Sequence, residues 1–235
     1  MDRGLNELLK WSIENTPPSN TNGAASTNGT SIAATPTSQS QPAAPDTTGR
    51  APPNAEALAA LFGGPSEADL MRAAVEVFSS TDPAVSLDDK LVAFDNLEQL
   101  IESLDNANNL ANLGLWPPLL AALAHAAPEM RRMAAWCVGT AVQNNEPSQE
   151  RLLAAGGVPP LVALVADPAE QVDVRRKGVY ALSSAVRNYQ PAMDVLLREL
   201  GKGRWTGWPD AVEATNMEAV DEIINRLKEE LKAAS

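Results

Sequence analysis

This chain has few side chains with which to make or break a bond. In 235 residues there is one histidine, His125, and one cysteine, Cys137. His125 lies in Ala124-His125-Ala126-Ala127-Pro128, with no second histidine for a metal site and no partners for a triad. Cys137 falls within an apolar helical stripe, where a thiol acts as a small core hydrophobe, and a lone cysteine fits a reducing compartment. GxSxG, HExxH, CxxC and Walker patterns are absent, and Gly63-Gly64 reads as a helix stop because it lacks the lysine and hydroxyl residue of a phosphate loop. Adjacent carboxylates (Asp88-Asp89, Glu229-Glu230) point different ways on a helix and read as solvated faces. The chain therefore reads as a non-enzyme with no cofactor and no metal. Binding is the chemistry left to it. Amides recur at the polar ends of helical segments: Asn106-Ala107-Asn108-Asn109, Gln143-Asn144-Asn145 and Arg187-Asn188. Amides donate and accept, so a ladder of them suits a partner's backbone or polar surface, although the same residues also cap helix C-termini.

A repeat must position that ladder. Glu129–Leu153 (EMRRMAAWCVGTAVQNNEPSQERLL) recurs at Asp173–Leu197 (DVRRKGVYALSSAVRNYQPAMDVLL). At an offset of 44, Arg131-Arg132 fall on Arg175-Arg176, Trp136 on Tyr180, Asn144 on Asn188 and Pro147 on Pro191. Trp116–Leu120 matches Val158–Val162 at an offset of 42, so the second copy carries two extra residues in the loop before its arginines, where indels belong. A period of this length, built from apolar helical segments, marks an armadillo- or HEAT-type solenoid, whose units bury their apolar faces by stacking. Met133, Trp136, Cys137, Thr140 and Ala141 follow the spacing of a buried helix face, and Val179, Tyr180, Leu182, Ala185 and Val186 do so in the second copy. Small residues such as Gly139 and Ala181 permit close helix approach. A divergent earlier copy reads as one long helix over Leu87–Leu104, with Lys90 in place of the arginines. The expected fold is all-α, an armadillo-like solenoid of about three repeats over residues 83–200.

Residues 1–15 form an amphipathic motif with Leu8, Leu9 and Ile13 on one face and Trp11 beside it; it either docks on its own solenoid or binds a partner. Residues 16–54, rich in Ser, Thr, Asn, Pro and Gly, cannot bury enough surface to offset ordering entropy and read as a disordered linker. Residues 55–82 read as N-terminal capping helices, the second opened by Ser66-Glu67-Ala68-Asp69 and carried on Leu70, Met71, Ala74, Val75 and Phe78. Residues 201–235 comprise a Gly/Trp linker and a C-terminal capping helix, expected at Thr215–Leu231 with a Thr215/Glu218 capping box and an apolar stripe of Val220, Ile223, Ile224, Leu227 and Leu231. Trp205 and Trp208 either cover the last repeat or stack on a nucleobase. A net charge of -12 argues against nucleic acid and anionic membranes as partners. No run reaches the roughly 18 apolar residues of a membrane helix, and Asp2, Glu7 and Glu14 argue against a transit peptide, so the expected location is cytoplasmic.

Six ordered blocks carry a resemblance to a known family: LLKWSIEN (from Leu8), LFGGPSEADLM (from Leu61), KLVAFDNLEQLIESLDNANNL (from Lys90), Leu115-Trp116-Pro117, RRMAAWCVGTAVQNN (from Arg131) and YALSSAVRNYQPAM (from Tyr180). Together they resemble the fungal cytosolic armadillo-type nucleotide-exchange factors of the seventy-kilodalton heat-shock chaperone, relatives of the animal heat-shock-chaperone-binding protein. The resemblance implies a monomer that binds the ATPase domain of a cytosolic DnaK-type chaperone, speeds ADP release, and so supports client release, folding and translation. It implies chaperone contact at Asn106, Ala107, Asn108 and Asn109, with Ala107 at the closest approach; Gln143, Asn144, Arg187 and Asn188 are further contacts. It gives Leu8, Leu9, Trp11 and Ile13 a part in client release. The chain departs from the family after Leu200, where a fourth repeat is replaced by the Gly/Trp linker and one acidic helix. Two other readings stand beside exchange: an armadillo adaptor that binds extended peptides without affecting nucleotide, and a nucleic-acid binder through Trp205 and Trp208.

Overall fold

Short polar side chains decide where the helices begin. The structure, a computed structural model, describes residues 64–203 and 206–233. The motif with Leu8, Leu9, Trp11 and Ile13, the 16–54 stretch, the helix expected at 54–62 and Trp205 lie outside the described residues. The Ser66 hydroxyl accepts from the Asp69 N–H at 3.2 Å and opens α1 (Glu67–Ser79). Ser86 and Asp89 form a reciprocal capping box at the start of α2 (Leu87–Ile101). Hydrogen bonds from Ser86 hold the Asp89 carboxyl below its ordinary pKa, so this cap is intact above the usual carboxylate range and is lost as pH falls through the lowered value.

Then follow α3 (Leu104–Asn112), α4 (Trp116–Ala121) with a 3-10 turn at Ala122–Ala124, and α5 (Pro128–Val142). The next unit repeats the pattern as α6 (Glu146–Ala154), α7 (Val158–Ala166) and α8 (Val172–Val186). Asn145 caps α6 through the Ser148 N–H. Both α3 and α6 end at a left-handed glycine, Gly114 (φ 68) and Gly156 (φ 72), whose own N–H and the next one along the chain return to carbonyls of the last turn. After α9 (Gln190–Lys202) the chain crosses the Gly/Trp linker into α10 (Met217–Ala233).

Two boundaries differ from expectation. The long helix expected over 87–104 stops at Ile101, and Asn106–Asn109 lie inside the separate helix α3 rather than at its polar end. The C-terminal helix starts at Met217, not Thr215: Asn216, a strong cap, accepts from the Ala219 N–H at 3.2 Å, while Thr215 turns to Glu213.

The long helices stand in one row, α1, α2, α5, α8 and α10, each packed on the next. The three inner ones run parallel: Phe94 and Glu98 of α2 meet Cys137 and Thr140 of α5, and Arg132 of α5 meets Asp173 of α8. Both end helices run antiparallel to their neighbours. Glu67, at the start of α1, accepts from Asn106 beyond the end of α2, and Lys90, early in α2, reaches Ser80 O after α1. Likewise Arg187, just past α8, reaches Met217 and Asp221 early in α10. A single apolar core runs the length of the row, from Met71 and Phe78 through Phe94, Leu119, Cys137, Leu161, Leu182 and Leu196 to Ile224 and Leu227. Among the described residues no helix is long and apolar enough to cross a membrane.

The recurring arginines belong to this scaffold. Arg175, 1% exposed, donates to Val165 O at the end of α7. Its counterpart Arg131 donates to His125 O and Ala126 O at 2.6 and 2.8 Å. Each therefore satisfies carbonyls at the end of the preceding helical segment, which have no partner within it. Arg131 also forms a two-pronged ion pair with Glu170, which the longer loop of the second copy supplies. Helices α5 and α8 approach closely at Gly139, where a Cβ would overlap the Tyr180 ring and stand 3.2 Å from Ala181 Cα. Gly139→Val is expected to destabilise the fold by about 1–3 kcal/mol through overpacking, read as a lowered urea midpoint by circular dichroism.

Candidate functional site

Three parallel helices of equal pitch leave a seam along one face, and the side chains that do not fill the core line it. A cleft of about 270 Å³ is lined by Glu98, Ile101, Glu102, Leu104, Thr140, Gln143, Asn144 and Tyr180. It therefore spans α2, α5 and α8 near the C-terminal ends of the first two. Glu98 is buried, and its carboxylate accepts from the Thr140 hydroxyl at 2.8 Å. The Tyr180 hydroxyl donates to Gln143 Oε1 at 3.1 Å, which ties α8 across to the end of α5. Below them Lys177 sits 3.7 Å over the Trp136 ring and 5.6 Å from the Tyr180 ring. Burial lowers the Lys177 ammonium pKa, an effect that the nearby Glu98 opposes. Glu102 and Asn144 are exposed at the lip, and Leu104 adds an apolar edge, 57% exposed. The cleft thus offers carboxylate and amide acceptors beside one apolar contact, a surface suited to a polar, partly cationic protein face.

The residues picked out by type and spacing do not all meet there. Gln143 and Asn144 line the cleft. Asn106 does not: it is buried, and its amide donates to Glu67 at 2.8 Å and to Leu100 O at 2.9 Å. Ala107 is a core residue, 1% exposed, with no surface for a partner to approach. Asn108 and Asn109 are half-buried on α3, and Asn109 accepts from Asn112 at 3.2 Å. The first rung of the expected ladder is therefore Glu102, which follows α2 as Gln143 follows α5 and Arg187 follows α8. Arg187 is occupied in holding α10, through Asp221 and Met217. Asn188 is exposed, but its N–H donates to Ala214 O at 2.9 Å in the linker.

Asn144 and Asn188 have φ of 51 and 58, the left-handed region in which asparagine is enriched among non-glycine residues. Their recurrence has a backbone reason. Trp136, Thr140 and Tyr180, expected in the core, are half-buried on the open face. The spacing of Glu98 with Glu102, and of Trp136 with Thr140 and Gln143, signals one helix face in each case, but only the register between helices says that the face stays open.

The solitary histidine and cysteine are structural. His125 Nδ1 accepts from the Ala127 N–H at 3.0 Å within a turn. Burial pushes the Cys137 thiol pKa well up, and its Sγ lies 3.6 Å from Phe94 O.

Comparison with known proteins agrees with a binding role. Residues 5–110 match the family described as "Nucleotide exchange factor Fes1", and residues 106–202 match the "SIL1/FES1/HPBP1 C-terminal domain". The chain is similar to "Hsp70 nucleotide exchange factor FES1" of Gibberella zeae, with 57% identity over 235 residues and 99% of each chain covered. It is 51% identical over 249 residues to "Hsp70 nucleotide exchange factor fes-1" of Neurospora crassa, with both chains fully covered. To the FES1 protein of Coccidioides immitis it is 47% identical over 231 residues, covering 97% of this chain and 99% of the other.

The two roles of Asn144 separate by substitution. Asn144→Gly keeps the left-handed turn and is expected to leave the urea midpoint nearly unchanged. Asn144→Ala removes the same amide but is expected to cost about 1–2 kcal/mol of backbone strain. Equal midpoints for the two variants would show that the turn does not require this conformation.

Proposed function

This chain belongs to the Fes1 family of Hsp70 nucleotide exchange factors, and we propose that it exchanges nucleotide by laying the Glu98–Tyr180 cleft against the ATPase domain of a DnaK-type chaperone. As a nucleotide exchange factor it changes no bond in the nucleotide, so the work needs differential binding rather than a catalytic group. ADP held between two lobes leaves when they part. A partner that binds the parted form more tightly shifts the population toward it by the difference in affinity, and each ~1.4 kcal/mol removed from the release barrier speeds exit about tenfold.

The observation that carries this reading is the cleft itself. It crosses three consecutive long helices, and its lip residues Glu102 and Asn144 are exposed side chains left over from the packing of the row. Rigid helices hold such a surface in one shape, so little ordering entropy opposes docking. In this proposal Glu102, Gln143 and Asn144 make the contact, Leu104 supplies an apolar edge, and Asn108, Asn109 and Asn188 lie at its margin. Glu98, Thr140 and Tyr180 hold the floor and wall. Asn106 and Ala107 support α3 from the core, and Arg187 anchors α10. The protein acts as a cytoplasmic monomer, and Leu8, Leu9, Trp11 and Ile13 serve client release from the end of the 16–54 tether.

The test is stopped-flow release of a fluorescent ADP from the isolated ATPase domain. The native chain is expected to accelerate release, and Glu102→Arg with Gln143→Arg, both at exposed positions and the second giving up the bond from the Tyr180 hydroxyl, is expected to keep a native circular dichroism spectrum and to lose about tenfold or more of that acceleration. Full acceleration by the double variant moves the contact to another face. Absence of acceleration by the folded native chain, with binding to unstructured peptides, favours an adaptor.

A further inference from the structure

The last two helices of the row, α8 and α10, leave a groove between them. At one end α8 and α10 are latched: Arg187 bonds Asp221 and Met217, and the Asn188 N–H bonds Ala214 O. Beyond this latch the groove, of about 720 Å³, runs between them from Ser183 to Val172 on α8 and from Ile224 to Lys232 on α10. Val172 on α8 is half-buried at its edge, and Val179, Ile224 and Leu231, each 2% exposed, form its apolar floor. Arg176 stands on one rim and Lys228 on the other. Both are exposed, and among the described residues neither has a carboxylate within salt-bridge distance. The one carboxylate in the lining, Glu229, is already taken by Lys232 at 2.8 Å.

In a chain of net charge -12, a groove flanked by two cations with no ion-pair partner among the described residues, Lys228 donating only to the Asn225 amide, is an electrostatic exception. Such a groove repels the basic segments that the rest of the surface attracts, and it selects the opposite class. The lined stretch of α8 runs from Val172 to Ser183, about 16 Å at the helical rise of ~1.5 Å per residue. That length takes two large side chains one helical turn apart, the spacing by which a short amphipathic helix seats in a groove.

We propose that the α8–α10 groove docks an acidic amphipathic segment of a partner protein, with leucine-sized side chains between the helices and flanking carboxylates on Arg176 and Lys228. The groove adjoins the cleft through Tyr180, which lines both. It is nonetheless opposite in charge, so it recognises a different segment from the one the carboxylates of the cleft accept. The inference stands on the groove's own chemistry and does not depend on nucleotide exchange.

The experiment uses the full-length protein alone. The probe is a fluorescein-labelled acidic peptide with two leucines one helical turn apart and glutamates between and around them. A second peptide replaces every glutamate with lysine. Fluorescence anisotropy is expected to show binding of the acidic peptide, no binding of the basic one, and at least tenfold weaker binding to Arg176→Glu with Lys228→Glu. Ser183→Trp, which fills the groove from a half-buried position and gives up the hydroxyl that accepts from Arg187 at 3.2 Å, is expected to abolish binding while circular dichroism stays native and the urea midpoint falls by no more than one part-buried hydrogen bond accounts for. Equal binding to native protein and both variants would overturn the proposal, as would failure of the native protein to bind the acidic peptide. Sedimentation giving a dimer that Ser183→Trp converts to monomer would also overturn it, because the groove would then be covered by a second copy.

Discussion

The approach of α5 and α8 at Gly139 is the contact on which the rest of the architecture depends. With no side chain there, the Tyr180 ring lies across α5 and the Ala181 backbone comes within van der Waals reach. Alanines on both helices, Ala134, Ala135, Ala181 and Ala185, are fully buried and keep the remaining contact short. Close, parallel backbones maximise dispersion contacts along the seam. They also push the larger side chains to the two sides of it: Cys137, Val138 and Leu182 inward, Trp136, Thr140 and Tyr180 outward. The cleft results from that division. A larger residue at Gly139 would displace Tyr180, and with it the bond to Gln143 that closes the cleft wall.

The strongest recurrences in the repeat answer to backbone requirements. Arg131 and Arg175 supply donors to carbonyls that each preceding helical segment leaves without an internal partner, a debt that falls due once per repeat. Asn144 and Asn188 recur because the chain turns through a left-handed residue between a long helix and the next short one. The two added residues in the second copy bring Glu170 to Arg131, so a loop insertion became an ion pair between successive units. Repetition in a solenoid reports what every unit needs to stack, whereas a partner is met by what differs between units. Glu102, Gln143 and Arg187 occupy the same place in three units with a carboxylate, an amide and a guanidinium.

Antiparallel helices at both ends terminate the row. Neither α1 nor α10 extends the parallel register, so neither offers the next unit its seam. Each has one strongly apolar face, buried against α2 or α8, and a charged face turned to water. Among the described residues the result is a short array that carries the cleft on one face.

The sequence by itself determined the helices, the period and most of the inward stripes, because periodicity, capping and residue type act over a few neighbouring residues. Ser66 and the apolar stripe of α10 were legible in that way, whereas Asn145, read as the end of one helix, caps the start of the next. The six sequence blocks also carried the family. Asn216 was missed in favour of Thr215 because several capping residues competed within one turn. The site was less legible. The break after Ile101, which moved Asn106 and Ala107 from a helix end into the core, depends on how α3 packs on α1 and α5. Only the tertiary structure decided that Trp136 and Tyr180 face outward, that Arg187 is held by α10, and that a groove lies between α8 and α10. Those outcomes depend on the distance and angle between helices far apart in the chain, which side-chain volume at the contacts sets and which no local pattern encodes.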